Sequence, residues 1–288
     1  MNQVLLQTIP MFQNRKLVIA TKHEKESVIA PLLEKELGVN CFVDPTYDTD
    51  QLGTFTGEIE RELDPVATAR EKCLRAMRFS KCDLGVASEG SFGPHPSVYF
   101  VNADDEFLIF IDLKHHIEII IRELSTSTNF NGKEIKSEEE LMEFASQSNF
   151  PSHGLILRKS KDENIDIHKG ITNIEKLKQL FEQLRSKYNA VYVETDMRAM
   201  YNPTRMEVIK KATQKLVEKI KSTCPHCAMP GFGITSAKRG LACSLCGSPT
   251  QAIISYTYVC QHCQFINEEM YPNQKTLEDP MHCNNCNP

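Results

Sequence analysis

Eight of the eleven cysteines lie beyond Lys221 and are arranged as four CxxC pairs. A CxxC turn directs two sulfur atoms at one centre, and loops of moderate length allow a second pair to complete a tetrahedral site. The pattern therefore predicts two structural zinc ions, each bound by four thiolates. The pairs are Cys224/Cys227, Cys243/Cys246, Cys260/Cys263 and Cys283/Cys286, separated by fifteen, thirteen and nineteen residues.

The spacing leaves open which pairs share an ion. The first pair could join the second and the third join the fourth, or the pairs could be nested or interleaved. Nested pairing would place Cys246 and Cys260 at the two ends of a strand-like run over residues 252–259, as the knuckles of a zinc ribbon flank a hairpin. Four disulfide bonds are the competing interpretation, and the lack of a secretory signal argues against it.

Charge limits the partners that the cysteine-rich tail can have. From Lys221 onward it carries four basic and four acidic side chains, and the whole chain has a formal net charge of -5. Four thiolates outweigh one zinc dication, so each occupied site adds negative charge. We therefore expect no nucleic-acid binding, which needs a surplus of lysine and arginine, and we expect a structural role or a protein partner for the tail.

Hydropathy gives no sign of a membrane span. The apolar run Val4–Phe12 is interrupted by Gln7 and Pro10 and has no basic flank, and no stretch approaches the length that crosses a bilayer. These features predict a cytoplasmic protein without membrane contact.

Upstream of Lys221 the sequence alternates strand-like and helix-like segments, which is typical of an α/β domain. We therefore expect an α/β domain over residues 1–221 and a small double zinc-ribbon-like domain over residues 222–288. Predicted strands cover residues 16–20, 40–43, 83–88, 98–101, 107–112, 117–121, 154–157 and 191–194.

Five helices should connect these strands. One is predicted over residues 24–37, and others begin at Asp64-Pro65, at the capping boxes that start with Ser137 and Thr172, and at Asn202-Pro203. Residues 89–96 are predicted as a loop and residues 102–105 as a turn.

Ligands of open α/β sheets bind beyond the carboxyl ends of the strands, where loops and helix N-termini meet. The segment after the first predicted strand, Ala20-Thr-Lys-His-Glu-Lys25, offers a hydroxyl, an imidazole and two ammonium groups. Thr21, Lys22, His23 and Lys25 are therefore candidate phosphate ligands, although a solvated helix start has the same composition.

Two further segments carry candidate site residues. Glu89 follows the third strand beside Gly90, where it could hold Mg²⁺ or Mn²⁺ or act as a general base, although Glu-Gly is also a common turn. The segment from Glu194 to Arg205 is unusually polar: Glu194 and Asp196 should share one strand face, and Arg198 and Arg205 could clamp an anion or could pair with these acids.

Residues 16–121 resemble the inosine/xanthosine triphosphatases, which release pyrophosphate from altered purine nucleoside triphosphates. The resemblance rests on the Ala20–Lys25 loop, the Thr54-Phe-Thr-Gly-Glu58 region, the helix from Asp64 and the strand ending in Ser88-Glu-Gly90. It implies an ITPase-like mixed sheet, with Thr21 and Lys25 binding triphosphate and Glu89 supporting a divalent ion. The chain departs from the family pattern at His23, where the family has asparagine.

The ETDMRA and NPTRM motifs at residues 194–199 and 202–206, together with the CxxC tail, also resemble a bacterial family of unknown function over nearly the whole chain. This resemblance implies one design that combines the α/β domain with the zinc tail.

The sequence thus predicts a metal-dependent nucleotide phosphohydrolase with Glu89 and Lys25 as catalytic residues. The alternative is a non-catalytic adaptor that senses a nucleotide or another phosphorylated small molecule and contacts a protein through its zinc tail.

Overall fold

The computed structural model of the protein describes residues 11–47 and 63–288, so the resemblance at residues 54–58 lies outside the described residues. The chain divides into two compact units. The larger contains most residues between Gln13 and Val217, and the smaller contains Glu218–Pro288 with residues 11–12 and His115–Ile117. No helix in the described ranges is long and apolar enough to cross a bilayer.

A five-stranded mixed sheet with order β2-β1-β3-β4-β5 begins the larger unit. Strand β1 pairs in parallel with β2 and β3, whereas β3 and β4 are antiparallel. The prediction of a mixed α/β fold is confirmed. The strands are β1 (Lys16–Ala20), β2 (Asn40–Phe42), β3 (Leu84–Pro94), β4 (Asn102–Asp112) and β5 (Ile117–Ser125).

Two helices accompany this sheet: α1 (Glu26–Leu37) and α2 (Pro65–Phe79). Asp64 caps α2 as predicted, because its Oδ1 accepts hydrogen bonds from the N–H groups of Val66 and Ala67. Helix α2 packs on one face of the sheet through a cluster that contains Ala69, Cys73, Ala76, Met77, Val18, Ala20, Ala87, Ile109 and Ile111.

The hairpin formed by β3 and β4 differs from the prediction. Strand β3 continues to Pro94 and pairs with β4 from Asn102 onward, so residues 89–94 are strand and not loop. Residues 102–105 are also strand, and the turn occupies residues 95–101, where His95 Nδ1 accepts hydrogen bonds from the N–H groups of Ser97 and Val98. By sequence, the polar residues of both segments fit a turn as well as a strand. Pairing between β3 and β4 gives their backbone N–H and C=O groups hydrogen-bond partners and extends the ladder.

A four-stranded sheet with order β6-β9-β7-β8 completes the larger unit. Its strands are antiparallel and its apolar face packs against helices α3 (Glu138–Gln147) and α4 (Ile174–Lys187). Ser137 caps α3 as predicted, whereas α4 is capped by Asn173 and not by Thr172. The strands are β6 (Gly132–Ile135), β7 (Leu155–Arg158), β8 (His168–Ile171) and β9 (Val191–Thr195).

After β9 the chain forms a short 3-10 helix (Ala199–Tyr201) and then α5 (Pro203–Lys221). Asn202 begins α5 as predicted, since its Oδ1 accepts a hydrogen bond from the N–H of Arg205. The smaller unit contains a three-stranded antiparallel sheet of β10 (Ile234–Arg239), β11 (Ile253–Val259) and β12 (Ile266–Met270), of which only β11 was predicted.

Candidate functional site

The eight tail cysteines form two groups of four. One contains Cys224, Cys227, Cys260 and Cys263, and the other contains Cys243, Cys246, Cys283 and Cys286, with all four sulfur atoms of each group within 4.8 Å of one another. The first CxxC pair therefore joins the third and the second joins the fourth. This interleaved arrangement was one of the open alternatives, and nested pairing is wrong.

The sulfur positions fit tetrahedral zinc. Zn–S bonds of about 2.3 Å place the sulfur atoms of a tetrahedral site about 3.8 Å apart. The Sγ–Sγ distances are 3.7 Å for Cys224–Cys263 and 3.6 Å for Cys227–Cys260. In the other tetrad they are 3.9 Å for Cys243–Cys286 and 3.6 Å for Cys246–Cys283.

None of the eleven cysteines is in a disulfide, so the disulfide interpretation is wrong. A disulfide would hold its two sulfur atoms about 2.05 Å apart. Each tetrad could therefore hold one zinc ion.

All four CxxC turns share one backbone hydrogen bond. In each, the N–H of the residue after the second cysteine donates to the carbonyl of the first cysteine, at 2.8–3.0 Å. In three of the turns that residue has a positive φ, which glycine adopts without strain. The three residues are Ala228, Gly247 and Gln264, so glycine occupies only one of the three positions.

A second group of charged and polar side chains lies in the larger unit, where β1 ends beside the middle of β3. Lys25 is the N-cap residue of α1 and is buried, and its Nζ donates to Ser88 Oγ at 2.8 Å and to the Ser88 carbonyl at 3.4 Å. Thr21, also buried, accepts a hydrogen bond from the N–H of His23 at 3.2 Å. Lys22 of the same loop is exposed.

Glu89 lies inside β3 and faces α2. Its Oε2 accepts from Lys72 Nζ at 2.7 Å, and both side chains are about nine-tenths buried. Because side chains alternate across a strand, Glu89 points to the opposite face from Ser88 and Gly90.

Glu106 on β4 pairs with Arg205 on α5. Arg205 Nε donates to Glu106 Oε1 at 2.5 Å and its Nη1 donates to the Met197 carbonyl at 2.5 Å. Gly90 lies directly across the ladder from Glu106, and a Cβ there would collide with Glu106 Oε1 and Arg205 Nη2. The glycine therefore makes room for a fully buried ion pair.

Asp104 lies two residues before Glu106 on the same face of β4 and is fully buried. Neither of its carboxylate oxygens has a hydrogen-bond partner among the described residues, and Glu106 Oε2 also lacks one. Burial, with the negative charge of Glu106, raises the pKa of Asp104 to about 8. We call Lys25, Lys72, Glu89, Asp104, Glu106 and Arg205 the charged cluster.

The pKa of His23 depends on burial and on the charges around this side chain. Burial lowers its pKa to about 3, and the next contributions come from four cations: Lys25, Arg205, Arg198 and Lys72. These cations belong to α1, α5, the segment after β9, and α2. Four cations thus lie near His23, and three of them are paired with buried carboxylates.

The two acids at the end of β9 have different partners. Glu194 pairs with Arg158 at 3.0 Å, and its pKa is raised by burial. Asp196 is fully buried and accepts hydrogen bonds from the N–H of Gly170 at 2.9 Å and from Arg198 Nη2 at 2.6 Å. Arg198 lies over the Tyr201 ring, 4.6 Å from its centroid. Pairing within the segment, one of the two interpretations, therefore holds for Asp196 and Arg198 alone, because Glu194 and Arg205 pair with residues outside it.

Residues 72–288 match the family described as a domain of unknown function, DUF6671. The match covers well over half of the chain. The protein belongs to this family. The predicted membership of a family of unknown function is therefore confirmed. No curated protein matches the chain.

The DUF6671 match includes both cysteine tetrads and five members of the charged cluster, and it begins after the Thr21–Lys25 segment. Within it, the segment 194–205 links the two sheets of the larger unit, because Asp196 accepts a hydrogen bond from the N–H of Gly170 in β8, while Arg205 donates to Glu106 on β4.

Sequence reasoning missed Ser88, Lys72, Asp104 and Glu106. The available signal was the Asp104-Asp-Glu106 run, whose period-two acids would share a face if the run were read as strand rather than turn. The only groups of three or more potential metal ligands in the described chain are the cysteine tetrads, so the predicted Mg²⁺ or Mn²⁺ site at Glu89 has no preformed ligand set there.

Proposed function

We propose that the charged cluster binds the phosphate groups of a nucleotide and hydrolyses it with release of pyrophosphate. The observation that supports this is the convergence of cations from four segments near His23, beside the carboxyl end of β1 and the middle of β3. A phosphate chain would offset their mutual repulsion and would accept hydrogen bonds from lysine and arginine. Thr21 and Lys22 would add a hydroxyl and an exposed ammonium group at the mouth of the site.

Asp104 is the acid best suited to assist the reaction. With a pKa near 8 it is mostly protonated at neutral pH, so it could donate a proton to a leaving oxygen. Arg205 would neutralise charge that develops on the transferred group. Glu89, which we predicted to be catalytic, points to the opposite face of β3 from Ser88, and there its ion pair would position Lys72.

A divalent ion is part of this proposal. Mg²⁺ is commonly bound by one or two carboxylates together with substrate phosphates. Glu106 Oε2 provides a carboxylate oxygen without a partner among the described residues. Mg²⁺ or Mn²⁺ would thus enter with the nucleotide and neutralise phosphate charge.

The test is release of pyrophosphate and phosphate from a panel of standard and altered nucleoside triphosphates, with Mg²⁺ or Mn²⁺. Wild type should turn over at least one of them, and Asp104→Asn should lower kcat while the protein stays folded. Glu89→Gln should have the smaller effect. Asp105→Asn is the matched control, because Asp105 lies on the opposite face of β4 and pairs with Arg122. Absence of turnover in folded, zinc-loaded protein would contradict the proposal.

A second candidate function is a nucleotide-sensing adaptor whose zinc unit contacts a protein. Exposed apolar side chains in that unit favour it: Leu245 is 74% exposed, Ile266 63% and Met281 64%. Tight binding of a nucleotide without turnover would support this function over hydrolysis.

A further inference from the structure

The contact between Lys25 and Ser88 has a feature that phosphate binding does not require. The shortest hydrogen bond of the Lys25 ammonium goes to the hydroxyl of Ser88, and both side chains are buried. No carboxylate among the described residues lies within ion-pair distance of Lys25 Nζ, although Glu89 and Glu106 are each paired with another cation. A buried ammonium is thus held mainly by a hydroxyl and a carbonyl.

The surroundings of Lys25 disfavour its charged form. Burial has the largest effect, and Arg205 adds repulsion, so that the pKa of Lys25 is lowered to about 8. Lys25 also occupies the N-cap position of α1, where the positive end of the helix dipole is unfavourable for a cation. A lysine in this situation is partly neutral near neutral pH and can accept a proton.

We infer that Ser88 is a nucleophile and that Lys25 is the general base that activates it. The inference rests on the proposed function for its electrophile, the α-phosphorus of a nucleoside triphosphate. Serine–lysine pairs at hydrogen-bond distance are a known way to activate a hydroxyl.

The steps balance as follows. Ser88 Oγ forms a bond to the α-phosphorus, its proton passes to neutral Lys25 Nζ, and the bond from the α-phosphorus to the bridging oxygen breaks, so that pyrophosphate leaves. Water then attacks the phosphorus of the nucleotidyl-serine and releases one proton to bulk solvent, and the bond to Ser88 Oγ breaks to release the nucleoside monophosphate. Ser88 Oγ regains a proton from the Lys25 ammonium.

The direct test uses diisopropyl fluorophosphate, which phosphorylates activated serines with loss of fluoride. Mass spectrometry of the full-length, zinc-loaded protein should find the adduct on Ser88 of wild type and on the same residue of Ser91→Ala, a control on the same strand. Ser88→Ala should carry no adduct. Lys25→Arg, which keeps the charge but cannot accept the proton, should slow labelling by about a hundredfold.

The pH dependence of labelling adds a readout that a structural role would not change. The rate in wild type should rise with a midpoint near pH 8 and become flat in Lys25→Arg. Six titratable or charged side chains surround Lys25: His23, Lys72, Glu89, Asp104, Glu106 and Arg205. Asp104→Asn should leave the midpoint unchanged. That result would assign the midpoint to Lys25 and not to Asp104, whose pKa is also near 8.

The outcomes distinguish this inference from the proposed function. Labelling of Ser88 without nucleotide turnover would support the serine–lysine pair and contradict hydrolysis of nucleotides. Turnover that survives in Ser88→Ala would leave hydrolysis in place and overturn the nucleophile. Unlabelled Ser88 in folded wild type, or labelling that Lys25→Arg does not slow, would overturn the inference itself.

Discussion

The cysteine tetrads and the charged cluster are assembled in opposite ways. Each tetrad consists of two local turns whose ligands are three residues apart, and its sulfur atoms fit an ion that must be added. The charged cluster draws its pairs from distant parts of the chain: Glu106 and Arg205 are 99 residues apart, and Lys25 and Ser88 are 63 apart. The comparison predicts that the tetrads depend on metal, whereas the charged cluster depends on the packing of one sheet and three helices.

The largest expected effect is the removal of zinc. Structural zinc contributes on the order of 10–16 kcal/mol to folding of small zinc domains, so a strong chelator should unfold the smaller unit and leave the two sheets of the larger unit protected. Hydrogen exchange measured by mass spectrometry, with and without chelator, would show this. Equal loss of protection in both units would break the contrast between the two regions.

The way in which the CxxC pairs combine into tetrads can be tested by replacing one cysteine. Cys260→Ser should reduce the metal content from about two ions per chain to about one and should expose Cys224 and Cys227 to alkylation. Cys82→Ser, which changes a thiol outside the tetrads, should leave two ions. Exposure of Cys243 instead of Cys224 in the Cys260 variant would contradict interleaved pairing.

Loss of Arg205 should be the largest effect within the charged cluster. Arg205→Met leaves Glu106 as a buried, unpaired carboxylate, which typically lowers the free energy of unfolding by about 3–5 kcal/mol. Urea denaturation would measure it, with Lys210→Met as the control on an exposed position of the same helix. A loss below about 1 kcal/mol would indicate that the pair is solvated and not part of a packed site.

Asp104 should make stability fall as the pH rises. Its pKa of about 8 in the folded state exceeds the ordinary value of 3.8, so the folded protein holds the extra proton and the stabilisation is lost as the pH approaches 8. The lowered pKa of His23 makes the free energy of unfolding depend on pH only below about 6.5, the ordinary pKa of histidine. The lowered pKa of Lys25 does so only above about pH 8. Between pH 6.5 and 8 the contribution of Asp104 should therefore be isolated.

In that interval the free energy of unfolding should fall by at most about 1.4 kcal/mol per pH unit relative to Asp104→Asn. The difference between the two unfolding curves is the quantity to measure, and Asp105→Asn should follow wild type. A difference that is constant with pH would show that Asp104 is already ionised in the folded protein.

The smallest effect concerns the turn residue after the second cysteine. Ala228 has a φ of 60° and Gly247 a φ of 72°, so Ala228→Gly should relieve strain while Gly247→Ala should introduce it, by about 1 kcal/mol each. Zinc competition with a chromophoric chelator would measure both changes. No atom lies within 4 Å of a Cβ added at Gly247, so steric clash cannot account for the second result.

The sequence could identify the eight cysteines of the tetrads because a CxxC turn is local, but it could not identify which pairs come together. Interleaving depends on how β10, β11 and β12 fold back on one another, and only β11 has a strand pattern strong enough to predict. The capping residues Asp64, Ser137 and Asn202 were predictable for the same reason as the CxxC turns, since each acts within one helical turn.

The charged cluster was only half predictable. Lys25 and Glu89 were found because they follow strongly patterned strands, and Arg205 because its segment is unusually polar. Asp104 and Glu106 were missed because they lie in or beside residues 102–105, which look like a turn, and only the pairing of β3 with β4 makes that segment strand. Lys72 on α2 was missed as well. Strand prediction relies on β-branched and aromatic residues, so the polar residues that a site needs within a strand make that strand harder to predict.

The four cations near His23 carry the functional proposal, and the pKa of His23 tests it most directly. Imidazole resonances of full-length protein, assigned with His23→Gln, would be titrated with and without inorganic pyrophosphate. We expect a pKa near 3 in free protein and a rise by more than one unit with pyrophosphate, because the anion offsets the repulsion from Lys25, Arg205, Arg198 and Lys72. A His23 pKa near 6.5 in free protein, or one that pyrophosphate leaves unchanged, would contradict an anion site beside the carboxyl end of β1.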